Sequence, residues 1–225
     1  MSIRASKDGA QAHRDAYFAN TRRVIAPLLP DRIQSVLEIG CGEGNTLEWL
    51  NLEHGPIESC GIEIDAHAAE AARLKGLNVH VLDIEKAVPP IAEGSVDLLL
   101  CLDVLEHMRD PWKTLERLIR FLAPDGSVIV SIPNVAHVSV LTGLVLGDDW
   151  TYRSEGILDR THLRFFTGKT SKQLLVSAGM NVDRVIRHYS RKTHRRINFL
   201  TVGLFRRFFT FQYLMRARKR LATPS

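Results

Sequence analysis

The chain has 225 residues, of which 45% are hydrophobic and 24% charged, with a formal net charge of +5. That balance suits one globular domain with a full core and excludes a disordered or collagen-like chain. No run of about 20 apolar residues offers a membrane-spanning helix, and the N-terminal "MSIRASKDGAQAHRD" has no apolar stretch of the secretory kind.

Apolar runs then alternate with helical patterns. "SVLEI" (35–39) reads as a buried strand ending in a glycine cluster, and "LEWLNLE" as the helix after it. "IESCGIE" reads as a second strand, "AHAAEAARLKG" as an alanine-rich helix stopped at Gly76, and "NVHVL" as a third strand. "VDLLLCL" is apolar throughout, as a strand covered on both faces should be. In "DPWKTLERLIRFLAPDG", Asp110 is the expected N-cap and Pro111 the first helical residue. Leu115, Leu118, Ile119 and Leu122 lie at helical spacing, and Pro124-Asp125-Gly126 is the expected stop. "SVIVSIP" is the fifth strand. This alternation predicts an α/β domain with helices on both faces of a largely parallel sheet, and a ligand at the carboxyl ends of the strands. Cys41, Cys60 and Cys101 are odd in number, far apart and set in apolar runs. They point to a reducing, cytoplasmic setting rather than to disulfides or zinc.

The first strand runs into "EIGCGEGNT", whose Gly40, Gly42 and Gly44 let the backbone turn tightly beside a ligand. The spacing is G-x-G-x-G, not the G-x-G-x-x-G of dinucleotide enzymes, which disfavours an oxidoreductase. Glu38 before the loop repels a pyrophosphate and favours an ammonium group. Glu63, about twenty residues on, suits a ribose diol. Asp83 suits an adenine amino group, and Ile64 and Ile84 offer apolar faces for its ring.

"VLEIGCGEGNT", "GIEID", "HVLDIE" and "VDLLLCLDVLEHMRDPWKTLERLIRFLAPDGSVIVSIPN" together resemble the successive motifs of the class I S-adenosylmethionine-dependent methyltransferases, from about residue 17 to 135. The resemblance implies a Rossmann-like fold with a mixed seven-stranded sheet, and S-adenosylmethionine as cofactor. It implies that Glu38, Gly40, Cys41 and Gly42 surround the methionine part and that Glu63, Ile64, Asp83, Ile84 and Leu102 surround the nucleoside. Tyr17 is expected either to close over the cofactor or to sit in the core.

About thirty residues, 134–166, intervene before a helix that Thr167 caps, at the edge where an acceptor should bind. This stretch resembles a subgroup associated with bacterial cell-surface glycan biosynthesis, and more distantly the quinone-biosynthesis O-methyltransferases. The implied reaction is methylation of a hydroxyl, first on a sugar or glycan precursor, alternatively on a quinone or other small molecule. A cofactor-binding partner protein without turnover is the rival of another class. Asn134, Asp159, Arg160 and Arg164 are the candidate acceptor residues, with Phe165 and Phe166 anchoring the wall. A hydroxyl needs its proton accepted, which makes His162 and His107 the first candidate bases. His137, Asp103 and Asp159 stand behind them, and having no base at all remains an alternative. "DRTHLRFFT" also reads as a structural latch, with Asp159 on Arg160 or Arg164 and His162 on a backbone carbonyl; both readings can hold together. Asp159 and His162 alone do not make a metal site, so no metal is expected.

From Arg184 to the end there are twelve Lys and Arg and no acid, while the rest holds 18 basic residues against all 25 acidic ones. A basic segment at 184–225 is expected either to pack on the acidic body or to meet an anionic membrane at the cytoplasmic face, with Arg206 and Arg207 toward the headgroups. It carries no nucleic-acid module. "NVDRVIRHYS" and "TFQYLMRARK" are its candidate strands, the second running antiparallel.

Overall fold

The computed structural model describes residues 22–189 and 203–219; Tyr17 lies outside them. Seven strands form one sheet in the order β3-β2-β1-β4-β5-β7-β6. They are β1 Ser35–Ile39, β2 Glu58–Glu63, β3 Val79–Val81, β4 Val96–Leu102, β5 Leu122–Pro133, β6 Met180–His188 and β7 Gln212–Lys219. The first five are parallel, while β7 is antiparallel to both β5 and β6. Both strands expected in the basic segment are therefore in the sheet.

The two-residue period of a strand explains why β4 is apolar at nearly every position. Leu99 and Cys101 pack on one face with Leu37, Ile39, Val128 and Val130. Leu98, Leu100 and Leu102 pack on the other with Val36 and Ile129. The first face is covered by Leu115 and Leu118 of one helix (Pro111–Leu118) and Leu174 and Leu175 of another (Gly168–Ser177). The second is covered by Ile25 and Leu28 of a 3-10 helix (Arg23–Leu28), and by helices α1 (Asn45–His54) and α2 (Ala66–Leu74). We number Pro111–Leu118 as α3, Val138–Gly147 as α4, Gly168–Ser177 as α5 and the short Arg206–Phe209 as α6.

The caps follow the sequence. Asp110 accepts from the Lys113 N–H ahead of Pro111, and Thr167 with Thr170 forms a capping box for α5. Two expectations shift. The helix after Asp110 ends at Leu118 and a 3-10 turn follows, because Phe121 and Leu122 are already buried in the sheet region. Pro124-Asp125-Gly126 falls inside β5, where the pairing with β4 changes register. The insertion at 134–166 is not all loop: it contains α4, uncharged and apolar, with Leu144, Val145 and Leu146 exposed.

Arg216 of β7 is buried. It grips Asp183 through Nη2 at 2.6 Å and donates to the Leu28 carbonyl at 3.1 Å. It thereby ties the sheet edge to the 3-10 helix that leads into the site.

Candidate functional site

The strand order reverses between β1 and β4, which opens a crevice at the carboxyl ends of the parallel strands. A cavity of about 410 Å³ fills it, a volume suited to one small ligand. Glu38, Gly40, Cys41, Gly42, Glu63, Ile64, Asp83, Ile84 and Leu102 all line it, so the structure gathers every described candidate cofactor residue in one place.

The glycine loop works by conformation. Gly40, Gly42 and Gly44 have φ of 70°, 55° and 75°, a region that L side chains avoid. At Gly44 a Cβ would also fall 2.3 Å from Leu77 Cδ1. The loop is fastened to β2 by Glu63, whose Oε2 accepts the Gly42 N–H at 2.8 Å. Its Oε1 accepts from Ile64 at 2.7 Å and Asp65 at 2.9 Å. A carboxylate has about four acceptor sites, so Glu63 still offers one to a diol.

Glu38 is the unsettled acid. It is buried, and Oε2 has no hydrogen-bond partner among the described residues. Burial pushes its carboxyl up to about 8, against the pull of Arg22. An ammonium group from a ligand would satisfy the orphaned oxygen and hold the anion. Asp83 is the opposite case: Lys86 Nζ at 2.7 Å holds its carboxyl below the usual range.

Sequence reasoning missed Arg22, Thr46 and Thr161, which also line the cavity. Arg22 pairs with Asp103 at 2.7 Å, and its N–H donates to Thr46 Oγ1 at 3.3 Å. The pairing joins residues 81 positions apart, so no local pattern marks it. Asp103 has two further partners, since its Oδ1 also accepts from Ser131 Oγ at 2.8 Å and from Gln212 Nε2. It holds a positive φ of 54° that few side chains tolerate.

At the other end of the cavity stands His107. Its Nδ1 lies 3.2 Å from the Thr161 carbonyl, which can only accept, so Nδ1 carries the proton and Nε2 the lone pair. Burial and the neighbouring His162 lower its pKa. His162 does not line the cavity. It lies behind His107, ring centroids 4.7 Å apart, with Nδ1 donating to the Ile157 carbonyl at 3.0 Å.

The other insertion residues sit elsewhere than expected. Arg164 donates to the Arg109 carbonyl through Nε at 3.0 Å and through Nη2. Asp159 Oδ1 accepts from the Thr161 N–H at 2.8 Å and hydroxyl at 2.7 Å, not from Arg160 or Arg164. Arg160 is exposed and outside the cavity lining. Asn134 is buried, its amide donating to the carbonyls of Arg207 at 2.8 Å and Thr210 at 2.7 Å. None of these four side chains lines the cavity, and those of Arg164, Asp159 and Asn134 hold the fold around it. His137 is likewise structural: its Nδ1 accepts the Ser139 N–H and caps α4. The Leu163 and Arg164 N–H groups donate to the Glu106 carbonyl at 2.8 and 2.9 Å, so "DRTHLRF" is a latch that presents Thr161 to the cavity. Phe166 anchors it in the core, and Phe165 packs edge-on to Trp150 at 5.3 Å.

Sheet order, glycine loop and acids at successive strand ends define a class: a Rossmann-like α/β fold with one ligand crevice at its switch point. Residues 10–185 match the family described as "Methyltransferase domain", and the chain belongs to that family. A curated relative, the ubiquinone biosynthesis O-methyltransferase of Psychrobacter arcticus, is 27% identical over 173 residues, covering 72% of this chain. The chain spans 65% of that relative's length. A solved S-adenosylmethionine-dependent methyltransferase from Archaeoglobus fulgidus superposes with TM-score 0.68 at 21% identity, over 92% of this chain and 94% of that one. The plantazolicin methyltransferase, solved with S-adenosylhomocysteine, superposes with TM-score 0.65 at 18% identity, over 96% of this chain and 91% of that one.

The family's cofactor is S-adenosylmethionine, and the cavity fits it. The orphaned Glu38 oxygen suits the ammonium group, Glu63 the ribose hydroxyls, and Asp83 with Ile64 and Ile84 the adenine. Among the described residues no helix is long and apolar enough to cross a membrane.

Proposed function

We propose that this chain methylates a hydroxyl of a small phenolic acceptor of the quinone-precursor kind. The observation that carries the reading is the polarity of the cavity. Its acids stand at the ends of β1 to β4, with Asp103 after β4 neutralised by Arg22, and a single imidazole, His107, shares the insertion end with Met108, Val104 and Leu102. An apolar wall with one imidazole suits a planar aromatic alcohol. The names of relatives such as the Psychrobacter protein favour the same acceptor, and none of the relatives described above is named for a glycan.

When bound, the cofactor supplies a methyl on a sulfonium, an activated electrophile. The protein's task is then to place an acceptor oxygen in line and assist loss of its proton. Glu38 and Glu63 hold the cofactor's amino group and ribose, Thr161 fixes the ring of His107, and His107 faces the acceptor. His162 stands against His107 and does not line the cavity. Contact with an anionic membrane would suit a lipid-soluble acceptor: Leu204 and Phe205 are exposed beside the exposed Arg206 and Arg207.

The test is transfer of a labelled methyl group from S-adenosylmethionine to prenylated and unprenylated dihydroxybenzoates, with nucleotide sugars as comparison. Transfer to the phenols supports the reading. Transfer to the sugars alone restores the glycan acceptor, and binding of cofactor without any transfer favours the partner-protein alternative.

A further inference from the structure

Behind the cavity wall lies a group of side chains that offers acceptors and no donor. Glu106 is 1% exposed, and neither of its carboxylate oxygens has a hydrogen-bond donor among the described residues. His162 is buried too, and its Nδ1 proton is spent on the Ile157 carbonyl. The bare Nε2 therefore faces Glu106 Oε1, 4.0 Å away. His107 spends its Nδ1 proton on the Thr161 carbonyl in the same way. One ligand atom from each of the three residues lies within 4.8 Å of the other two. Arg22, whose charge favours the Glu106 anion, is paired with Asp103, whose own charge repels Glu106, as does that of Asp159. Two buried side chains and the half-buried His107 thus turn their lone pairs toward one another, and burial pushes the Glu106 carboxyl well above its usual range, so that an entering cation would hold it as the anion and satisfy all three.

We propose that Glu106, His107 and His162 bind one first-row divalent metal ion at the acceptor end of the cavity, an inference that rests on the hydroxyl-methylating reading. The donor set fits the ion class. Two imidazoles and a carboxylate suit borderline ions such as Zn²⁺, Mn²⁺ or Co²⁺ better than Mg²⁺ or Ca²⁺, and three protein ligands leave positions open. Ligand atoms at roughly 2.1 Å from such an ion stand about 3–4 Å apart, so the cluster needs to contract by about an ångström. Both imidazoles already show the outer arrangement of metal-bound histidines, with Nδ1–H held by a backbone carbonyl and Nε2 free. The site could not be read from sequence spacing because Glu106 and His107 are adjacent and His162 comes from the insertion. It is carried by the latch, which fixes His162 through hydrogen bonds to Glu106's own carbonyl. Asp159, the expected partner of His162 in any metal site, is instead taken up by Thr161.

The ion would act as a Lewis acid. An acceptor hydroxyl bound at an open position sheds its proton to water at a lower pH than it does free in solution. The resulting oxygen anion forms the O–CH₃ bond as the S–CH₃ bond breaks, and that electron pair stays on sulfur as a neutral thioether. His107 then serves as ligand, and the proton leaves to solvent.

The test is Co²⁺ uptake by full-length protein that has been dialysed against chelator, read by visible d–d absorption and by metal analysis, without reference to turnover. The wild type should take up one equivalent with a d–d band. Glu106→Gln and His162→Ala should each weaken uptake at least tenfold while keeping their affinity for S-adenosylhomocysteine, since neither residue lines the cavity. Failure of the wild type to bind one equivalent overturns the proposal whatever the variants do. So does binding that Glu106→Gln leaves unchanged, and a carboxylic acid proton then fills the cluster instead. Co²⁺ binding by a protein that methylates no phenol would sink the acceptor reading and leave the metal site standing. Methylation of phenols by a protein that binds no metal would do the reverse.

Discussion

Replacing Glu38 by Gln should make the empty protein more stable and the binding of cofactor weaker. Burial lifts the Glu38 carboxyl from 4.5 to about 8, with Arg22 and the Thr46 hydroxyl pulling the other way. A carboxyl that is harder to ionise in the folded state than in the unfolded chain keeps the fold's full stability below pH 4.5. It withdraws stability as pH rises toward 8. By pH 7 the withdrawal is about 3 kcal/mol. Gln keeps the shape and carries no such slope. The gap in Tm between Glu38→Gln and wild type should therefore open from near zero at pH 4.5 to roughly 6–12 °C at pH 7. Binding of a cofactor with an ammonium group should reverse the order, because the ligand holds Glu38 as the anion. At pH 7 cofactor binding should release up to about 0.9 proton, since Glu38 begins mostly protonated. Thermal melts of both proteins across pH 4.5–8, together with titrations in buffers of different ionisation enthalpy, check both parts. A gap in Tm that stays flat with pH, or binding in wild type with no proton release, would refute the reasoning.

Further expectations follow from the same contacts. Asp183→Asn strands a buried guanidinium and should cost about 2–4 kcal/mol in chemical denaturation. Burial raises the Asp183 carboxyl, but the Arg216 pair outweighs it and holds the group low, so wild type should lose this stability only at acid pH, as the carboxylate protonates, and the variant should lack that slope. Gly44→Ala, with φ of 75° and a Cβ 2.3 Å from Leu77, should cost about 1–3 kcal/mol and weaken cofactor binding by calorimetry. Arg22→Ala removes the cation beside Asp103 and Glu38 and should weaken cofactor affinity about tenfold, with a smaller effect on turnover. If the membrane contact is real, Phe205→Ser with Arg206→Ala and Arg207→Ala should abolish flotation with anionic vesicles and leave melting unchanged; persistence of flotation sinks that contact.

The fold was legible because its signals are local. A run such as "VDLLLCL" has few ways to be buried other than between two helical layers, and Asp110-Pro111 is a start signal that acts within one turn. The acids at strand ends were legible for the same reason, since a strand end projects its last side chain into the crevice whatever the rest of the chain does. The insertion was not. Asn134 and Arg164 are polar residues at the right edge of the sheet, but the carbonyls they satisfy, at Arg207, Thr210 and Arg109, are placed by tertiary packing. α4 has no polar face to give it a helical period, and its Val-rich run reads equally as strand. Arg22 and Glu106 were missed because each owes its role to a residue far away in sequence.

The most direct test of the account is calorimetric titration of wild type and Glu63→Ala with S-adenosylhomocysteine. Glu63 anchors the glycine loop through Gly42 and faces the crevice, so wild type should bind one equivalent and the variant should lose that binding while remaining folded by circular dichroism. Absence of binding to wild type, or equal binding by a folded Glu63→Ala protein, would contradict the assignment of this crevice as the cofactor site.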